Sequence, residues 1–119
     1  TQNDSINWVI QQMEENCCDA NMSISGLAES AGMSDVKLSM LFKNIKQITP
    51  KEYLTQLRMK KARALLRDST LSVKDIAEQV GYLDTSSFIR RFRTYIGLTP
   101  LQYRRNSARP NGKNSGPDT

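Results

Sequence analysis

The side chains equipped for chemistry in this sequence are its arginines and lysines, because the other reactive types are missing or badly spaced. The 119 residues include no histidine, which removes Ser-His-Asp and Cys-His catalysis and histidine metal sites together. The two cysteines, Cys17 and Cys18, are adjacent, so they supply neither the separated ligand pairs of a zinc finger nor an unstrained disulfide. No cluster of nucleophile, base and metal ligand is left, and the chain reads as a non-enzyme with no catalytic residue, cofactor or metal. What remains is 17 Lys plus Arg against 12 Asp plus Glu, a net charge of +5. Guanidinium and ammonium groups are pure donors, suited to phosphates, carboxylates and purine acceptors.

The charge is unevenly placed. Residues 1–36 hold no Lys or Arg and six acids (Asp4, Glu14, Glu15, Asp19, Glu29, Asp35), a net of −6. Residues 37–119 hold all 17 cations and the other six acids, a net of +11. An excess of that size favours a polyanionic partner, from which the acidic first segment is expected to turn away. The apolar runs are far shorter than the roughly 20 residues of a membrane span. The start lacks the basic and apolar regions of a secretory signal, and the cysteine usage suits a reduced, intracellular setting. Beginning at Thr1, the chain is expected to be a domain of a longer protein or a processed form.

These groups must be positioned by helices, for the periodicity is helical almost throughout. Ile6, Val9, Ile10, Met13 and Cys17 recur at steps of three and four behind a cap at Asp4 or Ser5. Cys17 then belongs to the core and Cys18 is its partly exposed neighbour. Ile24, Leu27, Ala28 and Ala31 form a short helix opened by Ser23 and stopped by Gly32, and Ser34 caps the next one after a tight turn, the sequence form of a helix-turn-helix. Thr49-Pro50-Lys51-Glu52 is a capping box with proline at the first helical position, and it opens a long helix running to Asp68. Ser72 with Asp75 opens a further short helix ended by Gly81, Asp84 caps the next, and Thr99 with Gln102 opens the last. The tail from Asn106 is rich in Pro, Gly, Asn and Ser and is expected to be disordered.

The two halves of the chain superimpose as sequence. At an offset of 49, Ser23, Ala28, Glu29 and Gly32 meet Ser72, Ala77, Glu78 and Gly81; at an offset of 50, Phe42, Thr49, Pro50 and Tyr53 meet Phe92, Thr99, Pro100 and Tyr103. One extra residue within Tyr82-Leu83-Asp84 explains the change of offset, and duplication of a helix-turn-helix unit explains the matches.

The second helix of each unit has a face to spare. Leu38, Leu41, Phe42 and Ile45 form one core stripe and Phe88, Phe92 and Tyr95 the other. That leaves Val36, Met40, Lys43 and Gln47 outward, with Ser39 at the flank, and in the second unit Ser86, Arg90 and Arg93 outward, with Ile89 at the flank. Lys43 and Arg93 fall at matching places. The cations flanking these faces, Lys37, Lys43, Arg91 and Arg93, suit phosphate contacts, as do the helix N-termini at Thr49 and Thr99. On the long helix Arg58, Lys60, Lys61, Arg63 and Arg67 cover too many angles to share one partner. At least half are expected to face solvent or bond within the protein. A helix from Pro50 to Asp68 is about 28 Å long at 1.5 Å per residue, close to the ~34 Å between successive major-groove faces of DNA.

With the segments LAESAGMSDVKLSMLFK, ITPKEYLTQLRMKKARALL and LSVKDIAEQVGYLDTSSFIRRFRTYIGLTPLQYR in place, the chain from about Ile6 to Arg105 resembles the C-terminal DNA-binding domain of the AraC/XylS family of bacterial transcription regulators. The resemblance implies an all-α, homeodomain-like fold of seven helices. Its parts are a first helix-turn-helix subdomain at 5–48, a linker helix at 49–68, a second subdomain at 69–105 and a disordered tail at 106–119. It implies recognition helices at about 34–46 and 85–96 in successive major-groove segments, with base contacts at Val36, Ser39, Met40, Thr85, Ser86, Ile89 and Arg90. Met40 departs from the polar or Arg side chain often found there, so Val36 and Met40 can read thymine methyl groups but form no bidentate guanine contact, whereas Arg90 can bond guanine through two of its N–H donors. The implied setting is bacterial, cytoplasmic and nucleoid-associated. The partners are double-stranded DNA and RNA polymerase, with an effector or oligomerisation domain elsewhere in the intact protein. Left open beside it is a helical protein-interaction module whose basic surface meets an acidic partner, with Val36 and Met40 as a protein contact.

Overall fold

The computed structural model describes residues 2–107, and within them every element is helical: α1 (Gln2–Asn16), α2 (Ile24–Ser30), α3 (Asp35–Lys46), α4 (Pro50–Asp68), α5 (Val73–Gln79), α6 (Thr85–Ile96) and α7 (Pro100–Ser107). The chain divides into two compact units, one ending at Arg58 and the other beginning at Met59, so the division falls inside α4.

Local chemistry sets the helix ends. Ser23, Ser34, Ser72 and Asp84 each accept a backbone N–H three residues on, at 2.9, 3.1, 3.1 and 2.7 Å, satisfying donors that a helix start leaves orphaned. Thr49 and Thr99 start α4 and α7 with proline next in line. At the turn of each helix-turn-helix the same pair of bonds forms: Gly32 N–H to Glu29 O and Met33 N–H to Ala28 O, then Gly81 N–H to Glu78 O and Tyr82 N–H to Ala77 O. That closure needs a left-handed residue, and Gly32 and Gly81 supply it at φ of 75° and 99°.

Two expected boundaries move. The first helix begins at Gln2, so Asp4 and Ser5 lie inside it; Asp4 sits in the first turn, where a negative charge favours the helix whether or not it caps it. The last helix runs through Asn106 and Ser107, and the rest of the expected tail, 108–119, lies outside the described residues.

In unit 1 α3 packs on α1 and α2. Ile6, Val9, Met13, Cys17, Ala28, Leu38, Phe42 and Leu54 form its buried core. Cys17 and the half-buried Cys18 are not joined by a disulfide, and their sulfurs lie 3.6 Å apart. Phe42 meets Tyr53 at 5.5 Å between ring centroids. The Tyr53 hydroxyl donates to Glu14 at 2.7 Å, tying α4 to α1. Burial, then this bond, pushes that hydroxyl up to about 12. Arg58 closes the unit by donating to the Cys17 and Asp19 carbonyls at 2.7 and 3.2 Å, past the end of α1. In unit 2 the core is Met59, Ala62, Leu66, Ile76, Ala77, Val80, Phe88, Phe92 and Tyr103. There Arg104 donates to the Leu66 and Ser69 carbonyls at the end of α4, and Arg67 to the Tyr103 hydroxyl. Arg58 and Arg67 are thus two of the linker cations with partners inside the protein.

The repeat exposes one strained position. Gln47 follows α3 at φ of 70°, where its counterpart after α6 is Gly97 at 93°. A left-handed conformation costs a side-chain-bearing residue roughly 1–2 kcal/mol, part of which glycine returns through its freer unfolded chain. Gln47→Gly is expected to stabilise unit 1 by about 0.5–1 kcal/mol, read as a rise in thermal midpoint.

Candidate nucleic-acid interface

The helix-turn-helix geometry fixes α3 and α6 by one face and leaves the other in solvent. Leu38 and Phe42, like Phe88 and Phe92, are fully buried. Opposite them Val36 and Met40 are 76% and 58% exposed, unusual for side chains of that kind. Lys37, Ser39 and Lys43 are exposed beside them. On α6, Ser86, Arg90, Arg91 and Arg93 are exposed, while Thr85 and Ile89 are half-buried. Thr49 and Thr99 are half-buried at their helix starts.

The core stripe is narrower than the spacing predicts. Ile45 and Tyr95, at matching places near the helix ends, are 44% and 42% exposed, and Leu41 is half-buried. The burial is concentrated on the Leu38–Phe42 and Phe88–Phe92 turns, where Phe42 meets Tyr53 and Phe92 meets Tyr103.

Around α6 the expected residues share one feature. Ser86, Ile89, Arg90, Arg93 and Thr99 line an open depression of about 560 Å³ together with Thr94, which the sequence reading did not single out. Its signal was present, for Thr94 stands four residues after Arg90 and eight after Ser86 on the same face. Arg91 does not line it.

Asp84 pins the start of α6. Its carboxylate accepts the Ser87 N–H at 2.7 Å and the Ser87 hydroxyl at 2.9 Å. Those bonds hold the carboxyl below the usual carboxylate range, with Arg90 adding a smaller effect. A depressed native pKa gives stability that is present above the ordinary range near pH 4 and is lost as pH falls through the native value. The N-terminal turn of α6 is therefore expected to loosen in acid below about pH 4, seen as faster amide exchange at Ser87. Asp84→Asn should flatten that response.

Among the described residues no group of three or more Cys, Asp or Glu is placed to hold a metal, and no helix is long and apolar enough to cross a membrane.

Residues 27–106 match the family model described as a helix-turn-helix domain. The transcriptional activator NphR of a Rhodococcus species is 39% identical over 97 residues, covering 82% of this chain but 29% of NphR, so the chain spans under a third of that relative's length. The C-terminal domain of the response regulator yesN from Fusobacterium nucleatum is similar at a TM-score of 0.80 and 39% identity, over 82% of this chain and 95% of that one. The DNA-binding domain of AdpA, solved in complex with a target DNA, is similar at a TM-score of 0.81 and 26% identity, over 90% and 97% of the two chains. The duplicated helix-turn-helix and its matches make this chain a member of the AraC/XylS family, a family of transcriptional regulators and not of enzymes, and the part of it present here is the DNA-binding domain.

Proposed function

We propose that the protein binds duplex DNA by sequence, laying α3 and α6 in successive major-groove segments, as a monomer or as one arm of a larger dimer. The observation that carries the reading is the repetition of one outward face at equal places in both units, each with a cation at the same step, Lys43 or Arg93. Val36, Ser39, Met40, Thr85, Ser86, Ile89 and Arg90 are the proposed base-facing residues. Arg90 bonds guanine, and Val36 and Met40 pack on thymine methyls, so unit 2 is the sharper reader. Lys37, Lys43, Arg91 and Arg93 with the helix starts at Thr49 and Thr99 hold phosphates, which fixes register without reading sequence. The half-buried Thr85 and Ile89 contribute through their exposed atoms. A bacterial, cytoplasmic, nucleoid-associated setting belongs to this reading, as do RNA polymerase as a second partner and an effector or oligomerisation domain elsewhere in the intact protein.

Selection of bound sequences from a random duplex pool, followed by titration of the winner under rising salt, tests the proposal. An enriched site, with affinity falling steeply as salt rises, supports it. A pool that stays unenriched would favour an interaction module meeting an acidic protein. Within the proposal, Lys43→Ala is expected to weaken specific and random duplex alike and to reduce the slope of log affinity against log salt by about 0.9. A loss confined to the selected site would move Lys43 to the base-reading group.

A further inference from the structure

Two thiols meet where α1 ends and the chain turns toward α2. Cys17 follows Asn16, the last residue of α1, and is 4% exposed in the core of unit 1; Cys18 is half-buried against the same core. Their sulfurs are in contact at 3.6 Å. Neighbouring side chains diverge by about 100° on a helix and 180° on a strand, so the contact belongs to this turn and not to adjacency alone.

The backbone that sets the contact is tied down. Asp19 N–H donates to Asn16 O at 3.0 Å and Met22 N–H to Asp19 O at 3.1 Å. Asn21 N–H donates to the Asp19 carboxylate at 2.9 Å. From α4, Arg58 donates to the Cys17 and Asp19 carbonyls at 2.7 and 3.2 Å. The Cys17 carbonyl is part of the peptide bond that joins the two cysteines, so Arg58 holds that bond in its orientation.

Two chemistries can join such a pair, and distance decides between them. A disulfide needs sulfurs about 2.05 Å apart on Cα atoms usually about 4.4–6.8 Å apart, whereas adjacent Cα atoms are about 3.8 Å apart. Closing it requires turning the peptide that Arg58 holds. A single bridging atom leaves the sulfurs where they are. With bonds about as long as the ~2.3 Å of a zinc thiolate, an atom between sulfurs 3.6 Å apart subtends roughly 100°. That is the bend of a pyramidal trivalent centre such as As(III), while a linear centre needs sulfurs about 4.6 Å apart. Zinc wants four ligands, and among the described residues no group of three or more Cys, Asp or Glu is placed to supply them.

We propose that Cys17 and Cys18 form a two-thiolate site for a trivalent thiophilic metalloid that keeps one substituent of its own, an organic group or a hydroxyl. With a monosubstituted arsenous acid each thiol gives its proton to an arsenic-bound hydroxyl, two waters leave, two As–S bonds replace two As–O bonds, and no oxidation state changes. The half-buried Cys18 is the point of entry, and Cys17 closes the ring. The same core holds Leu38 and Phe42 of α3, so an occupied site stiffens the unit that carries the first outward face. The inference stands apart from the DNA-binding reading.

The test incubates the reduced chain with methylarsonous acid, As(III) carrying one methyl and two hydroxyl groups, and follows intact mass and thermal midpoint for wild type, Cys17→Ser and Cys18→Ser. Wild type is expected to take up one equivalent, to keep it against excess glutathione and to release it to dithiothreitol. Cys18→Ser, altered at the less buried position, should fold and hold the arsenical at least about a hundredfold less tightly, since it loses the second, intramolecular bond. The thermal midpoint of wild type should rise on loading, because a ligand matched to the folded pair stabilises the folded state. Equal retention by wild type and Cys18→Ser overturns the site. A midpoint that falls on loading also overturns it, because the arsenical would then prefer the unfolded chain. So does ready conversion of the folded protein by diamide to a product lighter by two hydrogens with its midpoint unchanged, because the peptide would then be free to turn and the pair would be a disulfide site.

Discussion

Phe92→Ala is expected to cost unit 2 about 3–5 kcal/mol, the range for emptying a buried aromatic site. Phe92 is fully buried and is an inner member of a four-ring aromatic chain: its ring lies 5.7 Å from Phe88 and 5.7 Å from Tyr103, and Phe88 in turn meets Tyr82 at 5.6 Å. Such contacts add to the area that each ring buries. Removing the Phe92 ring opens a cavity between α6 and α7 that the neighbours cannot fill without leaving their own sites. Total stabilities of small domains are commonly about 5–15 kcal/mol, so the loss takes a large share of what holds unit 2 together. Helix α6 should lose its fixed place, and site-specific binding should fall with it. Chemical denaturation followed by ellipticity gives the measurement. Trp8, the single tryptophan, lies in unit 1 and offers a separate fluorescence signal for that half. A cost under about 1 kcal/mol would mean that the site collapses easily and that the aromatic chain is not what fixes α6.

The same ring shows why so much was legible in the sequence. Phe42 and Phe92 stand 50 residues apart, each seven before a Thr-Pro capping start, and the starts of α2 to α7, the helix-turn-helix glycines and the two buried phenylalanines follow from local rules of capping and periodicity, whereas the start of α1 at Gln2 does not. The rules failed where tertiary reach decides. Ile45 and Tyr95 satisfy the stripe by spacing yet are half in solvent, because a helix carries its apolar face further than its neighbours extend to cover it. Arg58 and Arg104 close the ends of α1 and α4 through bonds to residues 35 to 41 positions away, and no local pattern reports those partners. The Gln47 conformation was equally silent, since glutamine carries no signal for a left-handed turn and only the comparison with Gly97 shows the strain. For the interface, the outward faces were readable from the 100° step between residues, whereas the depression that gathers Ser86, Arg90, Arg93 and Thr99 needed the folded chain.

Arg90→Ala is expected to erase preference at one position of the bound site and to leave the grip on random duplex largely intact. Arg90 stands exposed at the rim of the depression formed with Ser86, Ile89, Arg93, Thr94 and Thr99. Its counterpart on α3 is Met40, which can pack against a methyl group but has no donor for a purine. A bidentate arginine on guanine is worth about 1–3 kcal/mol of discrimination, or roughly five- to 150-fold between the preferred base and its alternatives. Because Arg90 also carries a charge, some loss on random duplex accompanies the mutation, but the loss on the selected site must exceed it by that factor. The reciprocal substitution sharpens the argument: Met40→Arg places a fork of donors on the equivalent turn of α3 and should create a guanine preference under unit 1 in place of the proposed methyl preference. Base-by-base substitution of the selected site measures both changes. If Arg90→Ala lost equally on specific and random duplex, Arg90 would join the residues proposed to hold phosphates, as Arg93 is. Specificity would then have to come from Ser86, Thr85 and the DNA shape that α6 accepts.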